Sequence, residues 1–165
     1  RGGATLTSHR SRTHTADVRL GIGPGGVPGP RVILARADSY MNTSGGPVSA
    51  LAQFYDINPD RIIAVHDELD IPFDTIKVKI GGGEGGHNGL RDITKALGTK
   101  DYYRVRTGIG RPPGRMDTAD FVLKPFSSTE SKDLPFLISN AADATMMLVK
   151  EGLLATQQRY HGAGS

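Results

Sequence analysis

An α/β fold is predicted: a single domain with a mixed, mostly parallel sheet flanked by helices. Segments of two-residue period alternate with segments of helical period. In Thr75–Ile80, for example, Ile76, Val78 and Ile80 face away from Lys77 and Lys79, whereas Leu90, Ile93 and Leu97 follow at helical spacing. Short runs such as Arg31–Ala35 (RVILA) and Ile62–Val65 (IIAV) carry the signature of buried strands. With 165 residues, no internal repeat and no long linker, the chain suits one core, and residues 1–165 are read as one domain.

The elements follow in order. Residues 1–15 show no period and are expected to be irregular, with a short strand over Ala16–Leu20. Gly21–Pro30 (GIGPGGVPGP) holds three prolines and is followed by strand signal, so it reads as a hairpin loop rather than a phosphate loop. Pro47–Tyr55 is helical, with Val48, Leu51, Ala52 and Tyr55 on one face and Asn58-Pro59 as the break. A helix starts at Asn88 or Gly89 and stops at Gly98. Tyr103–Ile109 alternates again, setting Arg104 and Arg106 opposite Tyr103, Val105 and Thr107. A long helix capped by Ser127-Ser128 stops near Gly152, Pro135 being tolerable only in its first turns. A short helix over Leu153–Tyr160 and an irregular tail at 162–165 complete the chain.

Composition narrows the chemistry. The absence of cysteine excludes disulfides, a thiolate nucleophile and cysteine-held zinc, and the five histidines form no close-spaced ligand pair. No apolar run approaches the length of a membrane span. A net charge of +3 is compatible with a polyanionic partner without requiring one. The opening RGGATLTSHRSRTHT has no acid; it resembles a transit peptide or, more plainly, a chain that begins inside a longer parent.

Candidate chemistry gathers between Ile62 and Leu90. Asp67, in His66-Asp67-Glu68-Leu69-Asp70, stands just past an apolar strand, where a carboxylate can orient an imidazole; the plain structural reading is a solvated acidic turn. Asn42 and Asn88 each stand at a strand-to-helix junction, as N-caps or as amides that donate to a carbonyl or developing oxyanion. Gly81–Gly83 and Gly85-Gly86 let backbone approach a ligand, and His87 is either a ligand contact or a hydrogen-bonded structural residue. If their strands pair, Lys77, Lys79, Arg104 and Arg106 form one basic patch suited to phosphates.

YMNTSG (40–45), HDELDIPF (66–73), KVKIGGGEGGHNGLRDI (77–93) and YYRVRTGIGRPPG (102–114) resemble the bacterial-type peptidyl-tRNA hydrolases, in matching order from about Arg31 to Tyr160. The resemblance implies that family's fold and a carboxylic-ester hydrolase that frees tRNA from peptides during translation, in the cytoplasm and as a monomer. It implies no metal, no organic cofactor and no membrane. Its partner is peptidyl-tRNA, gripped at the acceptor stem and 3′ end. In the family a histidine activates water, and an aspartate matching Asp67 orients and stabilises it. Asparagines matching Asn42 and Asn88 grip the peptide and its carbonyl. Tyr40 falls at an aromatic or apolar position of the substrate pocket, His87 is counted among the substrate-binding residues, and Lys79 and Arg106 match positions of tRNA phosphate contact.

The family's opening strand, with its GLGNPG-like loop, and its TRHN-like segment bearing the histidine find no match. RTHT (12–15) is similar only loosely, and His14 lies too close to Asn42. The resemblance therefore implies a chain lacking a first strand, a first helix and the general base: poorly stable, completed by a partner or read from an incomplete gene, and weak or inactive as a hydrolase. The alternatives are a non-catalytic, hydrolase-like RNA binder and a nucleotide-binding module built on Gly81–Gly86.

Overall fold

The computed structural model describes residues 5–20, 24–38, 43–83, 87–110 and 128–161. Strands and helices alternate as expected, and the α/β class holds. The chain divides into two compact units, Arg1–Ile62 with Gly81–Tyr102, and Ile63–Ile80 with Tyr103–Ser165.

The first unit is built on an antiparallel sheet in the order β1 (Thr7–His9), β2 (Thr13–Arg19), β3 (Arg31–Ala37). The stretch expected to be irregular before residue 16 is thus a hairpin. Its inward residues are polar: Ser11, Thr13 and Thr15 are buried, so hydropathy shows no alternation, although the β-branched threonines fit a strand. Serine and threonine hydroxyls satisfy one another there, Ser11 Oγ lying 2.8 Å from Thr13 Oγ1. The pairing of β2 with β3 closes at Arg19 opposite Arg31, so Gly21–Pro30 does connect a hairpin, residues 21–23 lying outside the described residues. RVILA is a half-buried strand rather than a buried one, because β3 is the edge of this sheet.

Among the described residues this unit also holds the α-helices α1 (Gly45–Phe54) and α2 (Asn88–Leu97). α1 buries Pro47, Leu51 and Ala52, and α2 buries Leu90 and Ile93, at helical spacing in each. Full burial of such a leucine contributes about 2 kcal/mol. Gly98, at φ 74°, ends α2 in the left-handed conformation that glycine adopts without strain. Tyr102, fully buried, donates its hydroxyl to the Leu90 carbonyl at 3.2 Å.

The second unit holds β4 (Ile63–Glu68), β5 (Ile76–Ile80) and β6 (Tyr103–Gly108), in the order β4-β6-β5, with α3 (Ser128–Glu151) and α4 (Leu153–His161). Here β4 runs parallel to β6 and β5 antiparallel to it. Among the described residues this is the one parallel pair, so this sheet is mixed and the first antiparallel, less parallel in all than expected. The apolar run at Ile62–Val65 does not end the strand either: β4 continues into the acidic cluster as far as Glu68. Leu137, Ala141, Ala144 and Leu148, three or four residues apart on α3, pack with Ile76, Val78 and Val105 as the core. Pro135 lies inside α3 and the helix continues past it to Glu151.

The open edge of β5 is finished by side chains. Val78 accepts from Gln157 Nε2 at 3.1 Å and donates its N–H to His161 Nε2 at 2.8 Å, so α4 stands in for a further strand. This bond requires a neutral ring protonated on Nδ1. Burial, with Arg106 and Lys77 nearby, holds the His161 ring below its ordinary pKa.

Two outcomes are expected. Unfolded, His161 takes up a proton near pH 6.5; folded, it resists, so the unfolded chain binds more protons as pH falls past that value. The stability from this residue is present above pH 6.5 and lost below it. Denaturant unfolding of His161→Gln is expected to fall less steeply than wild type between pH 7.5 and 5.5, equal slopes refuting the assignment. A Cβ at Gly108 would lie 2.0 Å from the Pro72 carbonyl oxygen and 2.7 Å from Ile71 Cγ2, so Gly108→Ala is expected to cost about 2–3 kcal/mol by chemical denaturation.

Candidate active site

In the second unit Asp67 stands opposite Thr107 in the parallel ladder, within the strand rather than beyond it. The strand end is held firmly. Thr107 Oγ1 donates to the His66 carbonyl at 2.8 Å, and Ile109 N–H to the Glu68 carbonyl at 3.1 Å. Gly108 and Gly110 donate backbone N–H groups to the Thr75 and Ile71 carbonyls. Asp67 is therefore a half-buried carboxylate on a rigid strand terminus, the placement an orienting acid needs.

The expected pairing of the basic strands is present. Lys77 is opposite Arg106 and Lys79 opposite Arg104, so the four cations share a face of the β5–β6 ribbon. They do not form one solvated patch, because Arg104 is fully buried. Burial also pushes the Arg106 guanidinium down from its ordinary pKa; Glu68 opposes the shift and Arg104 adds to it. His66 and Glu68 enter the same face from β4, His66 Nδ1 lying 3.7 Å from Glu68 Oε2, with both side chains nearly buried. Like charges thus stand directly across this ladder, with Glu68 as a counter-charge to Arg106.

In the first unit His87 caps α2. Its Nδ1 accepts the Leu90 N–H at 3.2 Å, so the residue predicted as either ligand contact or structural group does structural work. Asn88 is the first helical residue, not the cap. One turn on, Asp92 accepts the Gly45 N–H at 2.6 Å, joining the start of α1 to the same stretch of α2. A Cβ on Gly45 would lie 2.2 Å from the Asp92 carbonyl oxygen, so only glycine permits that approach. Tyr40 and Asn42 lie outside the described residues, as do positions 84–86 of the glycine-rich loop.

The remaining histidines are also engaged. His9 Nδ1 accepts the Ser11 N–H at 3.0 Å, His66 Nδ1 donates to the Asp67 carbonyl at 2.8 Å, and His161 holds the β5 edge. His14 Nδ1 lies 2.6 Å from Asp38 Oδ1, an imidazole–carboxylate pair on β2 and the end of β3 that sequence patterning did not reveal.

A family model for peptidyl-tRNA hydrolase matches residues 3–165. The chain is 66% identical over 163 residues to a peptidyl-tRNA hydrolase of Arthrobacter sp. (strain FB24), covering 99% of this chain and 81% of that relative. The chain belongs to the peptidyl-tRNA hydrolase family. A peptidyl-tRNA hydrolase of Kineococcus radiotolerans is 63% identical over 153 residues, covering 93% of this chain and 77% of the relative. Among solved structures, peptidyl-tRNA hydrolase from Acinetobacter baumannii superposes with a TM-score of 0.82 at 31% identity, over 94% of this chain and 76% of that one. A crystal structure of a peptidyl-tRNA hydrolase complex with N-propanol gives a TM-score of 0.84 at 31% identity, over 96% and 78% respectively.

The cap assigned to His87 is testable in this family member. His87→Ala is expected to lower stability by about 1 kcal/mol and to leave turnover per folded molecule within a few-fold. Unchanged stability with a turnover loss of about 10²-fold would return His87 to the reacting groups.

Proposed function

We propose that the chain hydrolyses the ester joining a peptide, or an N-blocked amino acid, to the 3′ ribose of tRNA, returning that tRNA to translation. The observation that carries this reading is the 66% identity over 163 residues to a curated peptidyl-tRNA hydrolase. The reading takes residues 1–165 as one catalytic domain, acting as a monomer in the cytoplasm on peptidyl-tRNA.

Water attacks the ester carbonyl and a tetrahedral oxyanion forms, then expels the ribose 3′ oxygen. Asn88, on the first turn of α2, donates its amide to the carbonyl oxygen as charge develops there, and Asn42 holds the peptide beside it. Asp67 is a positioning residue: its carboxylate would orient and stabilise an imidazolium formed as a histidine takes the water's proton and then returns it to the leaving ribose 3′ oxygen. None of the five histidines is assigned as that base. Four are engaged in a turn, a cap or strand contacts, and His14 is paired with Asp38 rather than Asp67. Lys79 and Arg106 bind tRNA phosphates, Tyr40 lines the substrate pocket and His87 contributes by shaping the start of α2.

The engagement of all five histidines favours a second reading, a hydrolase-like protein that binds tRNA without turning it over. One assay separates the two: release of N-acetylated amino acid from tRNA by wild type, Asp67→Ala and Lys79→Gln. Hydrolysis predicts a loss of roughly 10²-fold or more in kcat for Asp67→Ala. For Lys79→Gln it predicts a raised KM and a salt dependence reduced by about one charge. Salt-sensitive tRNA binding with no release by wild type would select the binding protein, and neither binding nor release would defeat both.

A further inference from the structure

At the tip of the β1–β2 hairpin an open cavity of about 470 Å³ is lined by Ser8, His9, Arg10, Arg12 and Asp38. Its frame is a three-residue turn, Arg10-Ser11-Arg12, between the paired residues His9 and Thr13. Such turns place their third residue in the left-handed region, where glycine is the usual occupant. Here that residue is Arg12, at φ 61°, its N–H donating to the His9 carbonyl at 3.2 Å. A long cationic side chain kept where glycine would relax the backbone is strain retained at a specific point.

The neighbouring cation is held in place. The Arg10 guanidinium carbon stands 4.5 Å over the centre of the Phe54 ring, and that ring packs edge-on against His9 at 4.6 Å. The hairpin tip is thereby fastened to the end of α1, and the Arg12 guanidinium reaches the other end of that helix, Nη2 standing 3.0 Å from where a Cβ on Gly46 would lie. Asp38 is the one carboxylate in the lining, and it is engaged: Oδ1 lies 2.6 Å from His14 Nδ1, while the Asp38 N–H donates to the Arg12 carbonyl at 2.9 Å. Residues 1–15 contain no acid, and Arg36 stands opposite His14 in the next strand. The balance at the tip is cationic.

We propose that this cavity is a second RNA contact, a subsite for a backbone phosphodiester of the tRNA, with Arg10 and Arg12 as its ligands. The inference rests on the reading of tRNA as the substrate. Planar guanidiniums suit phosphate oxygens because two parallel N–H groups can meet two oxygens. An open, braced and solvent-facing turn suits a group presented on a polymer surface.

The test measures binding of deacylated tRNA as a function of salt for wild type, Arg10→Gln, Arg12→Gly, the double variant and Lys79→Gln. Each arginine substitution is expected to reduce the magnitude of the log–log salt slope by roughly 0.7 to 0.9, and the double variant by about the sum. Arg12→Gly separates ligand from scaffold, because glycine adopts this backbone freely. Its unfolding midpoint is expected to hold or rise while tRNA binding weakens. A double variant with the wild-type slope overturns the subsite. If Lys79→Gln still weakens binding in that case, the substrate reading survives without it. A wild-type chain that binds no tRNA removes both together.

Discussion

The second unit depends on the two-sided ladder of β6. It pairs parallel with β4 and antiparallel with β5, and every residue of interest there takes its position from those registers. The ladder sets Asp67 opposite Thr107 at one end and aligns Lys77 with Arg106 and Lys79 with Arg104 across the other pair. A slip of one residue would turn the cations into the core and Val78 and Val105 out of it, at a cost of several kcal/mol in lost burial. The core of Ile76, Val78, Val105 and the α3 leucines therefore selects the register, and the register presents the charges.

The same economy appears in how each unit allows close approach. Gly45 lets α1 begin against the Asp92 turn of α2, and Gly108 lets the end of β6 meet Ile71 and Pro72. Both places are loaded with function in the proposed reading, one beside the helix carrying Asn88, the other beside the strand end carrying Asp67.

Charge is handled by enclosure as much as by pairing. Arg104 is fully buried, Arg106 is partly desolvated, and His66 and Glu68 are nearly closed off on the same face. The hairpin tip is the opposite case, with Arg10 and Arg12 exposed and braced by an aromatic ring and a strained turn.

Read alone, the sequence determined the α/β class, the α2 helix with its Gly98 stop, the β5 and β6 alternations, the long C-terminal helix and the family. These rest on local period, on turn residues and on motif order, all of which are properties of neighbouring residues. It also set the four basic residues on two strands that form one patch if they pair, and Asp67 just past a strand, whereas the ladder holds it within β4. Tertiary structure alone decided the rest. The first hairpin was illegible because its inward residues are Ser11, Thr13 and Thr15, whose burial depends on hydroxyl partners and not on hydropathy. The burial of Arg104 could not be read from an alternating pattern that assigns it to the polar face. Whether His87 or Asn88 caps α2 turned on which side chain reaches the Leu90 N–H. The pairing of His14 with Asp38, the cavity at the hairpin tip and the closure of the β5 edge by Gln157 and His161 join residues far apart in the chain, and no local pattern encodes such distances.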